Sequence, residues 1–153
     1  MMGGSVQVLL VEDNPADVRL VEEALKEGTL PVCLAVVSDG AEAVAFLRRE
    51  RIYAAAPRPD LILLDLNLPR MNGFDVLEHV KGDSALRAIP IVVLTTSQAE
   101  TDIARSYDLH ANCYLVKSSD LDQFFAVIHG LEEFWFRMAH LSSSPDCYRP
   151  LAS

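Results

Sequence analysis

Four consecutive large apolar residues, Leu61 to Leu64, end at Asp65, and this short segment limits what the chain can fold into. A continuous apolar run predicts a strand buried on both faces, which is typical of the centre of a parallel sheet. Pro69 lacks the amide hydrogen that a sheet ladder needs, so the strand should end before it. In an open α/β sheet, the carboxyl ends of the strands border the crevice where ligands bind. Asp65 is therefore predicted to lie in such a crevice, although a lone strand-end aspartate can also simply start a turn.

The length and charge of the chain limit its domain organisation and its partners. A length of 153 residues predicts a single domain over residues 1–153, with a core at about 6–141 and a loose polar tail at about 142–153. Acidic residues outnumber basic ones by 22 to 13, which gives a net charge of −9. Nucleic acids and anionic membrane surfaces favour clustered lysine and arginine, so neither is expected as the main partner.

The cysteines and the apolar runs bear on the compartment. The three cysteines, Cys33, Cys113 and Cys147, show no metal-binding spacing, and no secretion signal precedes them. No apolar stretch approaches the length that spans a bilayer. We therefore expect a cytoplasmic protein in a reducing environment.

Apolar runs that predict strands alternate with amphipathic runs that predict helices, five times along the chain. Gly28 is predicted to close the first helix, and Ser97 to Glu100 matches a capping box for the fourth. The alternation predicts an α/β fold, a doubly wound five-stranded parallel sheet with helices on both faces. The predicted strands lie near residues 6–11, 33–37, 61–64, 90–96 and 113–117. The second predicted helix ends at about residue 51, the fourth at about 109 and the last at about 141.

Most of the predicted strands end in a functional group, and these ends should meet at one crevice. They end at Glu12, Asp13, Asp65, Thr95, Thr96 and Lys117. Three carboxylates so close together would repel one another unless a cation neutralised them. Mg²⁺ prefers carboxylate oxygens, water and phosphate oxygens, while a lysine and a threonine hydroxyl suit a phosphoryl group. The set of residues therefore predicts phosphoryl transfer to an aspartate.

In this order, the residues resemble the receiver domain of two-component response regulators over about residues 6–130. The matching motifs are Leu10-Val-Glu12-Asp13, Leu64-Asp65-Leu-Asn-Leu-Pro69, Val93-Leu-Thr95-Thr-Ser and Tyr114-Leu-Val-Lys117. The resemblance implies a flavodoxin-like (βα)5 fold with the strand order 2-1-3-4-5, which places Asp13 and Asp65 on neighbouring strands.

The resemblance also implies a role for each site residue. Asp65 would accept a phosphoryl group from the phosphohistidine of a sensor histidine kinase. Mg²⁺ would be bound directly by Asp13, Asp65 and the main-chain oxygen of Asn67, and through water by Glu12. Such a protein catalyses only its own phosphorylation and dephosphorylation, so it is not an enzyme in the ordinary sense.

A second group of residues would bind the phosphate and transmit its presence. By the same resemblance, Lys117 and Thr95, with Thr96 beside it, would contact the phosphoryl group, and Tyr114 would move inward in response. Asn67 and Ser97 would gate the water that removes the phosphoryl group. The signal would then leave the domain as a change in protein contacts, made with an unknown downstream protein.

Three longer segments are similar to the small stand-alone receivers that partner bacterial phytochromes, which implies a red-light-sensing kinase. They are residues 12–17, 106–118 and 130–136. Two residues depart from the wider family pattern. Ser118 replaces the proline that usually follows the lysine through a cis bond, so a trans bond or a strained cis bond is expected. His110 replaces a glycine and is interpreted as a helix-end residue in a left-handed conformation.

Three other functions remain open at this point. A magnesium phosphatase of the haloacid dehalogenase type also forms an aspartyl phosphate, but its nucleophile follows the first strand and not the third. A receiver-like scaffold that is never phosphorylated would not need Asp13, Asp65, Thr95 and Lys117 intact. A flavin-binding protein of the same fold would need a convincing phosphate-binding loop, which the sequence lacks.

The last predicted helix, residues 121–141, carries more apolar surface than one sheet face can cover. One stripe would face the sheet: Leu121, Phe124, Phe125, Ile128, Leu131 and Trp135. The residues predicted at a dimer interface are Val127, Phe134, Trp135, Phe136 and Met138. Exposed aromatic patches mark protein interfaces, so a homodimer through the fourth helix, fifth strand and last helix is predicted. The alternative is that the tail folds back over this surface.

Overall fold

A five-stranded parallel sheet with helices on both faces forms the centre of the computed structural model, which describes residues 5–28 and 31–134. The strands are β1 (Val6–Val11), β2 (Val32–Val37), β3 (Leu61–Leu64), β4 (Ile91–Thr95) and β5 (Cys113–Val116). The helices are α1 (Pro15–Glu27), α2 (Gly40–Leu47), α3 (Gly73–Lys81), α4 (Glu100–Asp108) and α5 (Leu121–Leu131), with a 3₁₀ turn at Arg51–Tyr53. The strand order is β2-β1-β3-β4-β5, so the predicted α/β fold and topology are confirmed.

Strand β3 lies in the middle of the sheet, and all four of its side chains are fully buried. Its alternate residues enter two separate cores, Ile62 and Leu64 with α2 and α3, and Leu61 and Leu63 with α1 and α5. Burial of each such side chain contributes about 1.5–3 kcal/mol. The strand is therefore held from both sides, and its carboxyl end is a rigid place from which to present Asp65.

Helix α2 is shorter than predicted, because it ends at Leu47 and not near Arg51. The amide of Arg49 donates to the carbonyl oxygen of Phe46 at 3.1 Å, and that of Glu50 donates to Ala45 at 2.9 Å. These are the two bonds of a Schellman motif, and Arg49 takes the left-handed conformation (φ 58°) that usually selects glycine. An arginine there gives no signal in the sequence, which explains the overestimated length.

The prediction that α1 ends at Gly28 is confirmed. Gly28 has φ −73° and does not adopt the left-handed conformation of a helix-ending glycine. Instead, a Cβ atom on Gly28 would lie 1.8 Å from Oε2 of Glu132, at the end of α5. An added methyl group at this position would therefore have to displace the Glu132 carboxylate.

The start of α4 differs from its prediction. The helix begins at Glu100 after Ala99, whose side chain cannot cap it, so the capping box predicted at Ser97 is wrong. The Ser97 hydroxyl instead donates to Oδ2 of Asp102 at 2.6 Å, across the loop. At the other end of the helix, His110 has φ 72°, which confirms its interpretation as a left-handed helix-end residue.

Helix α5 begins after Asp120, whose side chain accepts the amide of Gln123 at 3.0 Å. Phe124, Ile128 and Leu131 are buried against the sheet as predicted, whereas Leu121 is 54% exposed, so its place in the inward stripe is wrong. Leu121 is the first residue of the helix. Phe134 is 59% exposed. The continuation to residue 141, Trp135, Phe136, Met138 and the tail lie outside the described residues.

Among the described helices, none is long and apolar enough to cross a membrane.

Candidate functional site

Three carboxylates meet where β1 and β3 end side by side. Val11 and Leu64 are register partners, so Glu12 and Asp65 leave the sheet as neighbours. Glu12 and Asp65 are buried and Asp13 is exposed, and one carboxylate oxygen of each lies within 4.8 Å of the others. Parallel pairing alone produces this cluster, because it aligns the carboxyl ends of adjacent strands. The cluster is the one predicted from the strand ends.

Lys117 follows β5 and reaches this cluster past the end of β4. Its side chain is only 5% exposed, and Nζ donates to Oδ2 of Asp17 at 2.8 Å, to Oδ2 of Asp65 at 3.2 Å and to Oε1 of Glu12. An ammonium group has three hydrogens, and here each has a carboxylate partner. Buried charge is tolerated only when it is paired in this way.

The electrostatics of the cluster follow from burial and from this pairing. The pKa of Glu12 is raised to about 7, because burial and the charge of Asp65 raise it more than the hydrogen bond from Lys117 lowers it. Burial alone would lower the pKa of Lys117, but its hydrogen bonds to Asp17 and Glu12 outweigh burial and raise that pKa. Lys117 is therefore a cation throughout the physiological range, whereas the charge of Glu12 changes near neutral pH.

Asp17 was not among the predicted site residues. In the sequence it resembles an ordinary acidic residue in the first turn of a helix, a position that the helix dipole favours. The signal that could have found it is the short connection between Asp13 and α1, which starts the helix at the crevice itself. An acidic residue in the first turn of that helix lies close to whatever β1 and β3 present there.

The residues predicted to bind and sense phosphate lie on β4, β5 and the loop between β4 and α4. Thr95 is fully buried, and its hydroxyl has no hydrogen-bond partner among the described residues. Thr96 is exposed. The Tyr114 hydroxyl donates to the carbonyl oxygen of Ser97 at 2.9 Å, and its ring packs against the core between the sheet and α2 and α3. Tyr114 is thus already directed inward, towards the loop that follows Thr95.

The other predicted site residues are Asn67 and Ser118. The amide of Asn67 donates to Oδ1 of Asp65 at 3.3 Å, so the loop after β3 folds back onto the carboxylate. The Lys117–Ser118 bond is trans, as are all peptide bonds of the described residues. The Ser118 hydroxyl donates to Oε1 of Gln123 at 2.9 Å and accepts the amide of Asp120 at 3.1 Å. Serine therefore anchors the start of α5 here.

The chemistry of the donor set fits a hard divalent cation. Glu12, Asp13 and Asp65 offer only oxygen ligands, and these lie within 4.8 Å of one another. Ca²⁺, Mg²⁺ and Mn²⁺ prefer such ligands, whereas a zinc site usually includes histidine or cysteine. Because Glu12 and Asp65 are buried beside each other, a cation would also relieve their mutual repulsion.

A family model of the response regulator receiver domain matches residues 8–129 of this chain. The chain belongs to the response regulator receiver family. This membership favours the receiver over the phosphatase and flavin-binding alternatives, and the resemblance noted in the sequence is confirmed.

Individual relatives agree with this assignment. Response regulator Rcp1 from Synechocystis sp. is 48% identical over 137 residues, which cover 90% of this chain and 93% of Rcp1. The crystal structure of the phosphorylated cyanobacterial phytochrome response regulator RcpA gives a TM-score of 0.88 at 54% identity, covering 92% of this chain and all of RcpA. The Mn²⁺-bound crystal structure of Rcp1 gives 0.86 at 48% identity, covering 90% of this chain and 99% of that one. The receiver is thus similar to small phytochrome response regulators over most of its length.

Proposed function

We propose that this receiver accepts a phosphoryl group on Asp65 from the phosphohistidine of a sensor histidine kinase. The observation that carries the proposal is the contact of Lys117 with Asp65, at 3.2 Å, inside a cluster that also holds Glu12 and Asp13. A buried carboxylate beside a lysine and two further acidic residues combines a nucleophile with groups that can bind a cation and a phosphoryl oxygen. The phosphorylated state of the relative RcpA supports the proposal.

The chemistry follows from this arrangement. A carboxylate oxygen of Asp65 attacks phosphorus, the P–N bond to the kinase histidine breaks, and its electron pair stays on the imidazole. Lys117 is placed to bind an oxygen of the transferred group, and the buried hydroxyl of Thr95 is available to donate a second hydrogen bond. Bound Mg²⁺ would neutralise charge on the reacting oxygens.

We propose Mg²⁺ as the metal, with Asp13, Asp65 and the main-chain oxygen of Asn67 as direct ligands and Glu12 bound through water. The oxygen-only donor set supports this choice, as does the Mn²⁺-bound structure of the relative Rcp1, because both ions prefer oxygen ligands. Asn67 and Ser97 are proposed to gate the water that hydrolyses the phosphoryl group, and both are small enough to admit it.

We propose that phosphorylation of Asp65 alters the surface of the domain through the loop between β4 and α4. Ser97 connects β5 and α4 there, because its carbonyl oxygen accepts the Tyr114 hydroxyl and its own hydroxyl donates to Asp102 on α4. A phosphoryl group that draws in the Thr95 hydroxyl would pull on this loop, and α4 would follow. The surface of α4, β5 and α5 would then change its affinity for a downstream protein.

The kinase is proposed to be a phytochrome-type photoreceptor, because the relatives RcpA and Rcp1 cover most of this chain and RcpA is a phytochrome response regulator. The protein is proposed to act in the cytoplasm, to comprise one domain over residues 1–153, and to catalyse only its own phosphorylation and dephosphorylation. Its net charge of −9 supports a protein partner over nucleic acid or a membrane surface.

The direct test is labelling with acetyl phosphate in the presence of Mg²⁺. We expect a mass increase of one phosphoryl group, removed by hydroxylamine as an acyl phosphate and located on the peptide that contains Asp65. Omission of Mg²⁺ is the control and should prevent labelling. An adduct on another peptide, or none under conditions that label a known receiver, would contradict the proposal and favour the scaffold alternative.

We also propose that the receiver forms a homodimer through α4, β5 and α5. An apolar groove lies between β5, an edge strand, and α5, and it is lined by Leu115, Val127, Leu131 and Phe134. Phe134 is exposed beside this groove. Exposed apolar surface of this kind is usually covered by a partner, and a twofold dimer is the commonest solution.

Phe134→Asp is expected to convert a dimer at micromolar concentration into a monomer, because it places a charge in the apolar contact. Leu121→Asp is the matched control, since Leu121 is similarly exposed but lies at the start of α5, whereas Phe134 follows the end of that helix. Sedimentation velocity distinguishes the two states. Monomeric behaviour of the unmodified protein, or equal effects of both changes, would refute the proposed interface.

A further inference from the structure

Lys117 contacts one carboxylate that has no part in the proposed metal or acceptor set, and that carboxylate is Asp17. We propose that Asp17 is a positioning residue that competes with the phosphoryl group for Lys117 and so limits the phosphorylation of Asp65. The inference rests on the proposed function, because it takes Lys117 as the residue that binds the transferred group.

The geometry leaves Lys117 no spare hydrogen. Its three donors go to Glu12, Asp17 and Asp65, and the bond to Asp17, at 2.8 Å, is shorter than the bond to Asp65, at 3.2 Å. A phosphoryl oxygen on Asp65 can gain a hydrogen bond from this ammonium only if one of the three carboxylates gives up its own. Lys117 can therefore either keep its bond to Asp17 or donate that hydrogen to a phosphoryl oxygen on Asp65.

Exposure decides which carboxylate loses the lysine. The side chain of Asp17 is 25% exposed, against 3% for Glu12 and 9% for Asp65. Water can hydrate Asp17 when the lysine moves towards the phosphoryl group, whereas buried Glu12 would lose its charge partner without replacement. At Asp65 the bond from the lysine passes to the phosphoryl group that forms there. Asp17 is thus the contact that breaks at the lowest free-energy cost, and its strength determines how readily Lys117 moves.

Asp17 is also held firmly where it competes. It occupies the first turn of α1, where Asn14 caps the helix by accepting the amides of Ala16 and Asp17 and where Pro15 fixes the first helical residue. The carboxylate is therefore presented to Lys117 by a rigid element. Its negative charge in addition repels an approaching anionic phosphoryl donor.

Asp17→Asn is the first test, because the amide keeps the shape of the side chain and removes its charge. With saturating Mg²⁺, we expect the rate constant for labelling by acetyl phosphate to rise roughly three- to tenfold, since one charge-assisted hydrogen bond no longer opposes the movement of Lys117. The lifetime of the phosphorylated protein should lengthen, because Lys117 then remains with the phosphoryl group.

Glu22→Gln is the matched control. It removes the same charge from the same helix, one and a half turns further along, at an exposed position outside the cluster around Lys117. We expect it to change the labelling rate less than about twofold, because water and salt screen an exposed charge. Equal effects of the two substitutions, or a slower rate for Asp17→Asn, would overturn the inference.

A double-mutant cycle separates a role through Lys117 from a general charge effect. In the unmodified background, Asp17→Asn should weaken Mg²⁺ binding about threefold, because the freed ammonium pairs more fully with two carboxylates that the metal needs. In a Lys117→Met background, Asp17→Asn should change Mg²⁺ binding only as little as Glu22→Gln does. An equal effect in both backgrounds would overturn the inference; the labelling comparison stands by itself if Lys117→Met does not fold.

The two proposals fail in different ways. If the unmodified protein is never labelled, the proposed function fails, while the Mg²⁺ cycle still measures whether Asp17 acts through Lys117. If the protein is labelled normally on Asp65 but Asp17→Asn behaves as Glu22→Gln does, the proposed function stands and only the competition by Asp17 is refuted.

Discussion

Asp65→Asn is expected to abolish labelling by acetyl phosphate while leaving the fold intact. The amide has no nucleophilic carboxylate oxygen, yet it keeps the shape of the side chain in a position that is 7% exposed. Its single amide oxygen can still accept one of the two hydrogen bonds that Asp65 receives, either at Oδ2 from Lys117 or at Oδ1 from the amide of Asn67. Intact-protein mass spectrometry and circular dichroism measure the two halves of this prediction.

The matched control is Asp60→Asn. Asp60 is also buried, and its replacement by asparagine removes the same charge. It lies before β3, where its carboxylate accepts the amide of Gln7 at 2.8 Å. Labelling should survive this substitution, because Asp60 lies at the opposite end of the strand from the site. Full-yield labelling of Asp65→Asn, or its loss in a folded Asp60→Asn protein, would refute the assignment of the acceptor.

A second consequence of Asp65→Asn lies in Glu12. The charge of Asp65 is one cause of the raised pKa of Glu12, so its removal should bring that pKa below about 7. Carboxyl-carbon NMR titration in the absence of Mg²⁺ would detect the change. An unaltered Glu12 titration would mean that the charge of Asp65 has no part in raising that pKa.

The strand ends were predictable from the sequence because parallel pairing follows from the pattern of apolar runs. Once β1 and β3 are neighbours in register, Glu12 and Asp65 must leave the sheet together. The position of Lys117 follows in the same way from the end of β5. The central features of the site therefore depend on periodicity and on parallel topology, which single residues do not override.

The errors occurred where a side chain takes a partner, or the backbone a conformation, that the residue type does not indicate. The Glu132 carboxylate lies beside Gly28, and Ser97 bonds to Asp102 rather than capping α4. Arg49 ends α2 in a conformation that its residue type disfavours. Asp17 looks like a helix-start acid until Lys117, a hundred positions away, is seen to contact it. Local propensity contains none of this information.

Lys117→Met is expected to lower the free energy of unfolding by about 3 kcal/mol at pH 8 without Mg²⁺, because removal of one partner leaves buried charge unpaired. Methionine has nearly the length of lysine, so the loss reports charge more than volume. Glu12, Asp17 and Asp65 would then face one another without a cation. Urea unfolding measures the change, and Lys26→Met on the exposed surface, a control with the same loss of charge, should shift stability by less than about 0.5 kcal/mol.

The dependence of this loss on pH and Mg²⁺ distinguishes charge from packing. The pKa of Lys117 is higher in the folded protein, so its stabilising contribution is complete below the ordinary lysine value of 10.5 and fades only above it. The pKa of Glu12 is already raised to about 7 and should rise further without Lys117, so protonation near pH 6 would relieve the repulsion. Mg²⁺ should relieve it as well, because it binds the folded cluster in place of the ammonium. We therefore expect the destabilisation to be smaller at pH 6 than at pH 8, and smaller with Mg²⁺ than without it. A loss that is equal under all these conditions would show that Lys117 stabilises the fold by packing and not by pairing the three carboxylates.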